Sequence, residues 1–182
     1  MNTLFIGTRV EALKAFNIHC ISHFQERTDI MSFHDTRLKS YLEITKYPVS
    51  HFILIDKGKT NALHELDNIL TKKHYEILLS VGFPYIIPQE IFRNHSRTLF
   101  LNLHPHILPK WKGFNSIKES FAKGEKSFGA SLHYMIPEMD SGKIIYQLEY
   151  NMENQPLDFI YESVFSIIEP IVLLRGLGKK IF

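Results

Sequence analysis

Met1-Asn2-Thr3-Leu4-Phe5-Ile6-Gly7-Thr8-Arg9-Val10-Glu11-Ala12-Leu13-Lys14-Ala15-Phe16 opens the chain. Leu4-Phe5-Ile6 reads as an apolar strand that enters a Gly7-Thr8 turn, and residues 9–16 as a helix with Val10, Leu13 and Phe16 on one face. A strand, a glycine turn and a helix in that order is how a nucleotide-binding type of α/β fold begins. Further strands are expected at 18–24, Phe52–Ile55, 75–81 and 98–103, and helices at 36–45, 60–70 and 116–123. Such alternation predicts an α/β, Rossmann-like fold with a mostly parallel sheet flanked by helices. Two later strands are expected at 127–135 and 143–150, then a helix from 157 to about 174 that Pro170 should bend or stop.

A chain of 182 residues with 45% hydrophobic and 22% charged content is expected to be one catalytic domain over 1–182. The net charge of +2 is too small, and the basic residues too scattered, for a surface that tracks phosphates, so no nucleic-acid partner is expected. Cys20 is the only cysteine, which excludes an intrachain disulfide and a cysteine-rich metal cluster and suggests a small buried apolar residue. The N-terminus lacks the basic start and longer apolar centre of a secretory signal. The most apolar late stretch, 165–174, contains Glu169 and Pro170 and falls short of the roughly 20 residues that span a bilayer. A cytoplasmic protein with no membrane partner is the expectation.

The chemistry gathers in Asn102-Leu103-His104-Pro105 and in Met139-Asp140-Ser141-Gly142. Asn102 and His104 fall at the carboxyl end of a predicted strand, where loops of an open parallel sheet present polar groups to ligands. Pro105 and Pro109 restrict the chain and remove backbone donors, so a stiff loop should follow. Asp140 falls in the loop 137–142 between the last two strands, so the two halves can meet only through folding. Asn supplies a donor for a developing oxyanion, His a base and Asp a carboxylate that orients it. Without further context the same residues serve equally as turn formers and caps.

The surroundings supply that context. Asn102-Leu103-His104-Pro105-His106-Ile107-Leu108-Pro109-Lys110-Trp111-Lys112-Gly113, with Gly129-Ala130-Ser131-Leu132-His133 and Asp140-Ser141-Gly142-Lys143-Ile144-Ile145-Tyr146-Gln147, resembles the folate-dependent formyltransferases. The resemblance runs from the first strand to about Gln147. It implies transfer of a formyl group from 10-formyltetrahydrofolate to a primary amine through a tetrahedral centre, with tetrahydrofolate as product. Asn102 would face the oxyanion, while His104 and Asp140 would manage the amine proton. The resemblance implies neither a metal nor a covalent enzyme intermediate. His133 either faces the site, as the histidine often found at this position in the family does, or is a hydrogen-bonded structural residue; His106 either contacts substrate or, as the favoured reading, points to solvent.

Leu78-Leu79-Ser80-Val81-Gly82-Phe83-Pro84-Tyr85-Ile86-Ile87-Pro88 resembles the family's strand and loop that cup the pterin ring. A flat bicycle needs apolar walls and backbone polar groups along its edge, which Gly82, Phe83, Pro84, Tyr85, Ile86 and Ile87 can supply. By the same resemblance, the backbone of Ile136, Pro137, Glu138, Met139 and Asp140 would close the opposite side.

The amine acceptor is less constrained. Glycinamide ribonucleotide formyltransferases follow the first strand with a glycine- and serine-rich phosphate loop, whereas this chain reads Gly7-Thr8-Arg9-Val10-Glu11. Methionyl-tRNA formyltransferases carry a further C-terminal domain, for which little sequence remains after Gln147. Formyltetrahydrofolate hydrolases add an N-terminal regulatory domain, and peptide-synthetase formylation domains are attached to larger chains. The expected acceptor is therefore a UDP- or TDP-linked amino sugar, of a pseudaminic-acid-type pathway. Arg9, Lys110 and Lys112 are candidates for its diphosphate, with solvated surface positions as the alternative for each. Apolar residues between Phe159 and Leu174 either cover the sheet or form a homodimer contact.

Overall fold

Apolar strands dictate the architecture of the computed structural model, which describes residues 1–24, 28–34, 37–56 and 58–178. β1 (Thr3–Gly7) and β4 (Ile77–Val81) are buried along their whole length. Alternation sends Phe5 to one core and Leu4 and Ile6 to the other, so both faces must be covered. The chain supplies the cover as α1 (Val10–Phe24), β2 (Asp29–Phe33), α2 (Arg37–Thr45), β3 (Phe52–Ile55), α3 (Lys59–Lys72), β4, α4 (Gln89–Asn94) and β5 (Leu99–His104). Next come α5 (Ser116–Ala122), β6 (Ser127–Tyr134), β7 (Ile144–Asn151), α6 (Leu157–Ser163), a π-helical turn Val164–Ile168 and α7 (Glu169–Gly178). The seven strands lie in the order β3-β2-β1-β4-β5-β6-β7. β1 to β5 pair in parallel, and β6 and β7 run antiparallel to their neighbours.

One early expectation is corrected. Residues 18–24 are not a strand but the second half of α1. Leu13, Phe16 and Cys20 continue the buried helical stripe, whereas Ile18 and Ile21 face outward. The neighbouring strand is Asp29–Phe33, disguised by Asp29 and Ser32. Asp29 is tolerated in the interior because His51, Lys73 and Tyr75 all reach its carboxylate. The helix expected over 36–45 appears as α2, with Thr36 outside the described residues.

Pro170 does not stop the last helix. The helix runs without a break through α6, the π-helical turn and α7, and Pro170 sits inside it, where it can donate no bond to the preceding turn. The irregularity falls just before it, where the Glu169 N–H donates to the Val164 carbonyl five residues back. Gly176 lets α7 lie close to the sheet, since a Cβ there would come within 2.6 Å of Leu132. Among the described residues no helix is long and apolar enough to cross a membrane.

Candidate active site

Strand alternation and register assemble the polar cluster. Leu101 and Leu103 of β5 point into one core, which turns Asn102 and His104 to the other face at the strand's carboxyl end. β6 pairs antiparallel with β5 so that His133 lies opposite Asn102 and Ser131 opposite His104. The Asn102 amide nitrogen lies 3.1 Å from His133 Nε2 and donates to Asp140 Oδ1 at 3.2 Å. Asp140 reaches the strands from the β6–β7 loop, and its other oxygen lies 3.3 Å from His104 Nδ1. The structure thus gathers Asn102, His104, His133 and Asp140 into one group.

Backbone geometry holds Asp140 there. Its φ of 51° is left-handed, a conformation that Asp tolerates better than most residues but that still costs about 1 kcal/mol or more. The Gly113 N–H donates to Asp140 Oδ2 at 2.9 Å, tying the loop after His104 to the loop that carries Asp140. Two positions on, a Cβ at Gly142 would stand 1.7 Å from the Tyr134 carbonyl oxygen, so the return into β7 requires glycine.

His104 Nε2 lies 2.5 Å from the Trp111 carbonyl, which can only accept, so that nitrogen carries the proton in the neutral ring. Nδ1 is then the nitrogen able to take up a proton, and Asp140 is placed to stabilise the result. Burial pushes the His104 imidazole below its ordinary value, and the opposing charge of Asp140 and bond to Trp111 do not overcome it. The ring is therefore neutral at neutral pH and competent as a base. Burial pushes the Asp140 carboxyl up, but the facing His133, His104 and the Gly113 N–H outweigh it and keep it ionised. His133 Nδ1 donates to the Tyr134 carbonyl at 2.9 Å, which turns Nε2 toward the Asn102 amide and Asp140 Oδ1. The Asn102 amide is thus held by Asp140 Oδ1 and faces His133 Nε2, beside the pocket that Asn102 lines.

Beside this group lies a pocket lined by Gly82, Phe83, Tyr85, Ile86 and Ile87 on one wall and Ile136, Pro137, Met139 and Asp140 on the other. Ile86, Ile136, Met139 and Phe114 are large apolar side chains left exposed around it, as a flat apolar ligand would require. Gly82 turns the chain with φ +68°, and Tyr85 is fixed by the Gly58 N–H at 2.9 Å and by edge contacts with Phe33 and Phe83. Pro84 and Glu138, expected in this wall, do not line it; Pro84 borders a second cavity instead. Ser80, Phe92, Phe114 and Met135 line the pocket without having been singled out. Register with Asn102 could have found Ser80.

The second cavity adjoins the first and shares Arg9, Gly82, Phe83 and Phe114 with it, adding Thr8, Glu11, Arg37 and Phe165 among its walls. Of the basic residues expected near an acceptor, Arg9 lines both cavities. Lys110 and Lys112 line neither, because Lys110 pairs with Glu125 and Lys112 donates to Ser141 Oγ. His106 is another correction. It is fully buried, its ring against Trp111 and Phe128, with Nε2 bonded to Ser120 Oγ and Nδ1 accepting the Ile107 N–H.

The sequence pattern of the family described as "Formyl transferase" matches residues 23–158. The methionyl-tRNA formyltransferase of Buchnera aphidicola is 27% identical over 125 residues, covering 64% of this chain and 40% of that protein. The chain thus spans about two fifths of the length of the first curated relatives it matches. Among solved structures, phosphoribosylglycinamide formyltransferase from Anaplasma phagocytophilum superposes with a TM-score of 0.78 at 19% identity, covering 97% of this chain and 84% of that one. A sugar N-formyltransferase from a Shewanella species gives 0.70 at 20% identity, covering 98% and 69%. At these identities the structural likeness is one of fold.

Proposed function

The chain belongs to the folate-dependent formyltransferase family, and on that premise we propose that it formylates the primary amine of a nucleotide-linked amino sugar, with 10-formyltetrahydrofolate as donor. The folate donor supplies the formyl group as an amide whose carbonyl oxygen gains negative charge during attack. Asn102 donates to that oxygen. His104 accepts the proton that the attacking amine loses, at Nδ1, where the Asp140 carboxylate stabilises the imidazolium. The proton passes on to the folate nitrogen as its bond to the formyl carbon breaks and tetrahydrofolate leaves. His133 Nε2, 3.1 Å from the Asn102 amide nitrogen, helps set the direction of the amide.

The donor fits the apolar pocket, whose walls are aromatic and aliphatic and whose polar groups converge at the Asn102 end. The observation that carries the acceptor reading is the second cavity. Two arginines, Arg9 and Arg37, and two phenyl rings, Phe114 and Phe165, border it. That combination suits phosphate oxygens followed by flat rings. Its acidic member, Glu11, already pairs with Lys14.

The relatives' names point to other phosphate-bearing amines, so the test is a panel. UDP- and TDP-linked amino sugars, glycinamide ribonucleotide and methionyl-tRNA are each offered with the folate donor, and products are read by mass. Gain of one formyl group on a nucleotide-linked sugar is the expected outcome. Acceptance of methionyl-tRNA or glycinamide ribonucleotide alone would overturn the sugar assignment.

A further inference from the structure

Charged side chains almost never lie fully inside a protein without a partner or a task. Glu169 is completely buried, at the junction of the π-helical turn and α7. One of its carboxylate oxygens takes the Arg9 guanidinium, and the other has no hydrogen-bond partner. Above this pair, the Phe165 ring stands 3.9 Å from the Arg9 guanidinium carbon. Across from it lies Gly82, required by its φ of +68° rather than by crowding at Arg9, since a Cβ there would meet Arg9 Nε at an ordinary 3.6 Å. Arg9 is thus held between Glu169 and Phe165 while it lines both cavities.

Glu169 and Phe165 stand one turn apart and converge on the same guanidinium, with the π turn between them. Such turns occur disproportionately at functional sites. An ion pair that served only to join α1 to α7 would not require its arginine to line a cavity, nor leave an oxygen unpaired at a cost of about 1–3 kcal/mol.

We infer that Glu169 is the buried counter-charge that positions Arg9 to receive the anionic, phosphate-bearing part of the amine acceptor in the cavity between Thr8, Arg37 and Phe165. The inference rests on the proposed acceptor reading. Glu169 touches no reacting atom and acts through Arg9, as a positioning residue. Burial pushes its carboxyl up to about 7, against the opposing charge and hydrogen bond of Arg9. The pair therefore does not fully neutralise itself, and the guanidinium retains attraction for an incoming anion. Arginine suits the place because its planar fork can hold the carboxylate with one edge and phosphate oxygens with another.

The test uses Glu169→Gln, Arg9→Lys and the double variant, each confirmed to be folded by thermal melting and by folate binding. The acceptor is whichever amine the wild type formylates. Each single substitution is expected to raise the acceptor KM about tenfold, with kcat and the donor KM within about twofold of wild type. The double variant should be no worse than the weaker single one, because the two residues act as a unit. An unchanged acceptor KM in folded Arg9→Lys, or a parallel change in donor and acceptor KM, would overturn the inference. Should Glu169→Gln fail to fold, Arg9→Lys alone decides in the same terms.

Inorganic pyrophosphate provides a probe independent of the acceptor's identity. By calorimetry it should bind the wild type and bind both single variants about tenfold more weakly; no saturable binding to the wild type, or equal binding to all three, contradicts the inference. Rejection of every sugar in the panel, with pyrophosphate binding still dependent on Arg9 and Glu169, would remove the sugar reading and leave this one standing.

Discussion

On the β5–β6 flank of the pocket, Asn102, His104, His133 and Asp140 hold one another through hydrogen bonds and facing charges. On the β1–α1 flank, Arg9 relies on one carboxylate sealed beneath it and one aromatic ring above it. The first arrangement can exchange protons at short range, since His104 and Asp140 face each other and each can change its charge. The second can only present a fixed charge. Two kinds of support on one site imply two kinds of failure when they are disturbed, the first in turnover and the second in acceptor affinity.

The largest expected effects break the first flank. His104→Ala and Asp140→Ala should each lower kcat by about 100- to 10,000-fold while folate affinity changes little. A folded Asp140→Ala protein turning over at the wild-type rate would show that the cluster is not where the proton moves. Asn102→Ala should lower kcat by about 100- to 1,000-fold, measured with saturating donor and acceptor. If its effect fell instead on acceptor KM, Asn102 would belong functionally with Arg9 and the contrast between the flanks would collapse.

The scaffold under the first flank offers a prediction in pH. Burial pushes His106 down to about 4. An unfolded chain takes up that proton near pH 6.5, so between those values the unfolded state binds more protons and stability falls as pH falls. The loss from His106 alone is on the order of 3 kcal/mol and is complete below about pH 4. His19, pushed down by burial and by the His23 charge, adds in the same direction. Denaturant midpoints in a pH series should show a drop between 6.5 and 4 that shrinks in His106→Gln; an unaltered slope in that variant would mean His106 is protonated in the folded protein. The smallest effect is expected outside both flanks. Lys110→Ala should change kcat/KM by less than about twofold, because Lys110 lines neither cavity and is engaged in a surface pair with Glu125. A tenfold loss of acceptor affinity would bring Lys110 into the second flank.

The contrast also governs what could be read from the chain. The first flank is written in short segments, Asn102 to His104 beside a strand end and Asp140 in a turn, and strand alternation places their side chains. The strand pairing that puts His133 opposite Asn102 is a register, which no local run of residues states. In the β1–α1 half, periodicity gave the first strand and the start of the helix but broke it too early. The apolar Ile18 and Ile21 imitate a strand while belonging to the exposed side of α1, and the true strand carries a buried Asp29 whose partners lie on other elements. His106 has the look of a loop histidine and is buried because Ser120, from α5, arrives to meet it. Glu169 was visible only as a charge inside an apolar stretch. Its meaning depends on Arg9, at the other end of the chain.

The most direct test of the account is the release of tetrahydrofolate from 10-formyltetrahydrofolate by the wild-type protein, followed with and without a UDP- or TDP-linked amino sugar and compared with the formylated amine formed. The account predicts release only when the amine is present, with one formylated amine for each tetrahydrofolate. Release at the same rate without the amine would contradict it and make water the acceptor.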